Sequence, residues 1–105
     1  MKNQLSEIIC HDNFDILRMI NAKMRDIICL KNENRSISQR VKTLGGEVTK
    51  LTLHIAKENT NNKGNLRKRH SYCNLIRTLE DLQNRNSKLI LKHRSKIQQL
   101  RKELV

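Results

Sequence analysis

The chain contains no proline and no tryptophan, and Phe14 and Tyr72 are its only aromatic residues. A compact core in a chain of 105 residues usually leans on aromatic side chains, because each covers far more surface than Val or Ala. Any core here is therefore thin and aliphatic. Long apolar runs are missing as well: the longest is "IICL", Ile27 to Leu30, far short of the roughly 20 residues that span a bilayer. Asp12, Asp15 and Asp26 interrupt the apolar positions near the start, which argues against a secretory signal or an acid-poor transit peptide. The three cysteines, Cys10, Cys29 and Cys73, are odd in number and far apart, so a reducing cytoplasmic or nuclear location is expected.

Acidic residues are scarce, 10 against 22 Lys/Arg, and the net charge of +12 is unevenly placed. Residues 1–35 carry six Lys/Arg and five Asp/Glu, residues 36–62 four and two, and residues 63–105 twelve and three. Nine of the excess positive charges thus lie in the last 43 residues. Such a segment seeks a polyanion: nucleic acid, an acidic protein surface such as tubulin tails, or anionic lipid.

What the chain does have is a sustained 3.5-residue period. With Asn34 taken as an a position, Ile20, Ile27, Asn34, Val41, Val48, Ile55, Ile76, Ile90, Ile97 and Leu104 fall at a. Ile9, Ile16, Leu30, Ile37, Leu44, Leu51, Leu79 and Leu100 fall at d, and the frame does not shift between Ile9 and Leu104. This pattern predicts an all-α fold, an elongated left-handed coiled coil. β-Branched residues at a with Leu at d favour a parallel dimer over a helical hairpin, and Asn34 is the kind of seam amide that fixes register.

Around "ENTNNKGN", Glu58 to Asn65, the seam turns polar and turn-favouring residues accumulate. Ile55 and Ile76 nevertheless remain three whole heptads apart, which favours a continuous or centrally interrupted rod over a fold-back at residues 59–65. The chain divides on this reading into an amphipathic helix (1–33), a heptad zipper (34–58), an Asn-rich basic joint (59–71) and a basic heptad helix (72–105). Gly45 and Gly46 fall at e and f, outside the seam, where each weakens a helix by roughly 1 kcal/mol relative to Ala. Leu17, Met24 and Ile28 widen the apolar stripe near the start, as do Leu75, Leu82 and Leu89 in the second half. Stripes of that width exceed what a simple dimer buries and leave room for a third helix.

Catalytic chemistry finds little footing. His70 lies one helical turn before Cys73, but both sit in a basic exposed stretch, and "LGGEVTK" lacks the spacing of a phosphate-binding loop. No CxxC or HxxxH spacing is present, so neither a metal nor another cofactor is expected. The basic residues carry more content: Lys63, Arg67, Lys68 and Arg69 form a patch suited to nuclear import or phosphate contact. Arg77, Arg85, Lys88, Lys92, Arg94, Lys96, Arg101 and Lys102 continue it on several sides of one helix. With Tyr72 as the sole aromatic there, base stacking is not expected. The basic residues are interleaved with the heptads instead of preceding them, unlike a basic zipper that reads bases.

In a parallel self-pair the central g-to-e contacts would join Arg40 with Gly45, Glu47 with Thr52 and His54 with Asn59. None is an ion pair, whereas Arg94 and Arg101 at e and Lys68 and Lys96 at g suit an acidic partner chain. The sequence therefore predicts a non-enzymatic coiled-coil adaptor. It would pair with itself or with another coiled-coil protein and dock its basic arm on an acidic surface, in a microtubule, centrosome or spindle assembly. Its alternative is a chromatin or nucleic-acid binder acting through phosphate contacts.

Overall fold

A computed structural model of the chain describes residues 12–58 and 63–105. Two helices account for nearly all of them: α1, Asn13–Glu58, and α2, Lys63–Glu103. Ile9, Cys10, His11 and residues 59–62, the start of the expected joint, lie outside the described residues. Residues 63–71, the remainder of that joint, belong to α2.

Local chemistry accounts for helices of this length. No proline removes an amide donor within either helix. Asp12 caps α1, its Oδ1 accepting the Asp15 amide at 2.8 Å, and Asp15 adds a carboxylate to the first turn, where the helix dipole favours it. Thr43, Thr49 and Thr52 sit within α1, where β-branching is mildly unfavourable. Each donates its hydroxyl to the carbonyl four residues earlier, so the oxygen is satisfied without leaving the helix. Arg101 and Lys102 close α2 with positive charge at its negative end.

The chain divides into two compact units, residues 1–31 with 87–105, and residues 32–86. In the first, Ile16, Ile20 and Ile27 of α1 meet Ile90, Ile97 and Leu100 of α2 in a small aliphatic core, flanked by Met19, Leu30 and Leu104. The pairing is antiparallel: Asn13, at the start of α1, donates from Nδ2 to the main-chain oxygen of Val105 at 3.0 Å and accepts the Val105 amide on Oδ1 at 3.1 Å.

The second unit is antiparallel too. Gln83 of α2 donates from Nε2 to the Asn34 carbonyl at 3.2 Å and to the Ser38 hydroxyl at 2.6 Å, and Arg69 donates from Nε to the Thr52 hydroxyl at 2.8 Å. Its interior is thinner. Ile37 and Leu79 are buried, while Val41, Leu44, Val48, Leu51, Ile55 and Ile76 are only half-buried. The seam of α2 offers Asn65, Arg69, Tyr72 and Gln83 in this unit, and polar or long side chains cover an aliphatic neighbour poorly.

The all-α expectation holds as two long helices, whereas the parallel dimer of one long or centrally interrupted helix finds no support. Within each unit the heptad stripe of α1 is covered by α2 of the same chain. A heptad stripe has no direction, so an unbroken frame across the connection permits folding back as readily as running on. The β-branched-a, Leu-d preference ranks parallel oligomers among themselves. It does not weigh them against an intrachain partner held at high effective concentration by four residues.

Candidate docking surfaces

The seam residues lie where the two helices of each unit face one another. In the first unit Ile20, Ile27, Ile90, Ile97 and Leu100 are buried, and Leu30 and Leu104 are half-buried. Between the isoleucine layers the frame places Lys23 on α1 and His93 on α2, both half-buried. In the second unit Asn34 is half-buried beside Gln83. One turn beyond Gln83, Asn86 is the most enclosed polar side chain described, 4% exposed, and its Nδ2 has no hydrogen-bond partner among the described residues.

The basic residues face the solvent almost without exception. Lys63, Arg67, Lys68, Arg77 and Arg85 are exposed in the second unit, and Lys88, Lys92, Arg94, Lys96, Arg101 and Lys102 in the first. Arg69 differs: it occupies a seam position, is half-buried and spends its Nε donor on Thr52. Lys68 lies with its ammonium 5.9 Å from the centre of the Tyr72 ring, a cation–π contact one turn along the helix.

Few of these cations are neutralised within the chain. Among the described residues, cation–carboxylate contacts are confined to Lys50 with Glu47 at 3.7 Å and the imidazole of His54 with Glu58 at 3.1 Å, an ion pair only when that ring is protonated, both along α1. Arg77, Arg85 and the six basic residues of the α2 end have no carboxylate within ion-pair reach among those residues. An exposed charge pays little for remaining hydrated, so the surplus is tolerated by the fold and available to an external anion.

Residues with catalytic or ligating chemistry are not gathered. His70 is exposed and Cys73 half-buried in the second unit, and Cys29 is exposed in the first. Among the described residues no group of three or more His, Cys, Asp or Glu is placed to hold a metal ion. No helix described is long and apolar enough to cross a membrane.

Two features went unmarked in the sequence. The Asn13–Val105 clamp joins residues 92 apart, and nothing local to either announces it. The Asn34–Gln83 contact had a signal: both are polar seam positions, and antiparallel pairing of α1 with α2 brings them to one level. No protein-family model, curated protein or solved structure matches the chain.

Proposed function

We propose that this protein is a non-enzymatic helical adaptor. Its two helices cover each other's apolar seam, and its exposed cations dock on an acidic surface while a partner helix joins the remaining apolar faces. The observation that supports this reading is the contrast between α2's two sides: its seam is occupied, and its exposed basic residues from Arg77 to Lys102 have no intrachain carboxylate among the described residues. Oligomerisation by a parallel self-seam loses its motive in this arrangement, so partners are taken up on the outer faces. An acidic cytoskeletal surface such as the tubulin tails is the proposed target, because cations spread around a helix suit a long, mobile polyanion better than base readout.

The test is co-sedimentation of the full chain with microtubules, before and after proteolytic trimming of the acidic tails, with duplex DNA as competitor. The adaptor reading expects binding that falls at least tenfold on trimming and survives a charge-equivalent amount of DNA. Displacement by DNA, with an affinity for the duplex that falls steeply with salt, would replace it with the nucleic-acid reading.

A further inference from the structure

Along one edge of the first unit, α1 carries a second apolar stripe outside the core: Leu17, Met24 and Ile28 are 48%, 44% and 56% exposed. Burial of such side chains is favourable by about 1.5–3 kcal/mol each when complete, so an edge that leaves three half-open is unfinished among the described residues. Beside Met24 and Ile28 runs an open groove of about 360 Å³. Ile27 and Ile97 lie at its floor, and its rim is basic, with Lys31 from α1 and Arg94 and Arg101 from α2.

The charge along this edge is of one sign. Lys31, Arg94 and Arg101 form no ion pair among the described residues, and the remaining polar side chain lining the groove is the neutral Gln98. No carboxylate from the edge itself answers the arginines. Arg94 and Arg101 are seven residues apart, as are Leu17 and Met24. Each pair therefore repeats at about 10.5 Å along its helix, two turns at 1.5 Å per residue.

Resting on the adaptor reading, the geometry points to this groove as the docking site for an amphipathic acidic helix of another protein. Its apolar ridge packs on Leu17, Met24 and Ile28, and Glu or Asp residues seven apart on one flank meet Arg94 and Arg101. The concavity suits the convex ridge of a helix, as a third helix settles between two, and a bilayer surface offers no such ridge. A second copy is the wrong occupant on charge. The described residues of this unit carry ten Lys/Arg and four Asp/Glu, so two such edges brought together would set arginine against arginine in a partly desolvated contact.

The test uses the full chain and a fluorescent helical peptide with a leucine ridge and a glutamate flank at heptad spacing. A scrambled peptide of the same composition and a lysine-for-glutamate version are the comparisons, all read by anisotropy at 50 and 200 mM salt. The expected result is binding of the acidic helix at least tenfold tighter than the scramble. It should weaken at least tenfold with Met24→Glu/Ile28→Glu, and equally with Arg94→Glu/Arg101→Glu, the latter now favouring the lysine peptide. All four side chains lie outside the buried core, and unchanged helicity by circular dichroism verifies each variant's fold.

Equal binding of acidic helix and scramble, or no peptide binding, overturns the proposal. It is also overturned if Met24→Glu/Ile28→Glu abolishes self-association in sedimentation, which gives the groove to a second copy. Loss of binding to phosphatidylserine vesicles by the same variants, without peptide discrimination, gives it to a membrane. Peptide binding that emerges only after deletion of residues 1–11 gives it to the chain's own start. The adaptor reading fails separately, through the tubulin and DNA competition, whose outcome does not depend on Met24 or Ile28.

Discussion

Replacing Asn86 by leucine should stabilise the protein. The side chain is 4% exposed and its Nδ2 has no hydrogen-bond partner among the described residues; a buried donor left unmade costs about 1–3 kcal/mol. Leucine removes that donor and adds apolar burial of about 1.5–3 kcal/mol. Against these gains stands the rearrangement needed to seat a side chain of different shape, about 1–3 kcal/mol in a well-packed site. The second unit is thinly filled, with Val41, Leu44 and Ile76 only half-buried, so the opposing term belongs at its lower end. With the opposing term at about 1 kcal/mol, the net expectation is about 1.5–5 kcal/mol of added stability. At about 4–8 °C per kcal/mol for a domain near this size, the lower bound alone raises the midpoint of thermal unfolding by roughly 6–12 °C. The assay is circular dichroism at 222 nm through a thermal scan, with Asn86→Ser as a smaller polar comparison that should not rise. A fall of more than about 1 kcal/mol for Asn86→Leu would refute the reasoning, since it would mean that the amide makes a favourable bond in solution. A gain in stability accompanied by new oligomers in sedimentation would show why the amide is kept: a polar group in a seam restricts the pairings the seam accepts.

Other substitutions test the remaining parts of the fold. Gly45 and Gly46 lie in unstrained helix, and a Cβ added at either meets no atom within 4 Å. Gly45→Ala and Gly46→Ala should each stabilise by about 0.5–1 kcal/mol in urea unfolding, and a loss at either would show that the backbone there is not simply helical. Asn13→Ala removes both bonds to Val105. At an exposed site this should cost about 0.5–1 kcal/mol and speed amide exchange in the last turn of α2, while leaving exchange at Ile37 and Leu79 unchanged. Leu100→Ala opens the core of the first unit, where Leu100 is among the most completely buried side chains; about 2–5 kcal/mol should be lost. Leu91→Ala, on an exposed face of the same helix, should stay within about 0.5 kcal/mol.

The heptad frame was legible because burial of an aliphatic stripe repeats with the helix period, whatever covers it. Ile20, Ile27, Ile37, Leu79, Ile90 and Ile97 could be placed on one face from spacing alone. The direction of pairing could not. A parallel neighbour and a folded-back neighbour present nearly the same stripe, and the difference lies in the connection at 59–62 and in which polar seam residues meet. Asn34 illustrates the point: as an a-position amide it suggests pairing with its own copy in a parallel dimer, yet here its main chain receives Gln83 of the same chain. Basic character was equally legible as a total, but Arg69 shows the limit of reading it residue by residue. It stands in the run "RKR" with Arg67 and Lys68, and only its seam position separates a cation bonded to Thr52 from two that face water.

That one frame decides which cations are available also explains the difference between the two units. The polar seam of α2 in the second unit takes up Gln83 and Arg69 in contacts with α1, so that unit turns part of its hydrogen-bonding capacity inward. In the first unit the seam is nearly all isoleucine and leucine, the Asn13 clamp joins the helix ends, and Arg94 and Arg101 stay at the edge. A cation is thus drawn inward where it occupies a seam position, as Arg69 does, while those at flanking positions stay uncommitted in both units. By this logic, exchanging His93 for leucine would tighten the first unit's seam without touching the edge. Acidic-peptide binding at the Met24–Arg101 groove should then be unchanged within twofold while thermal stability rises. Lost peptide affinity in that variant would show that core and edge are coupled, and that the arginines are positioned by the layer beneath them.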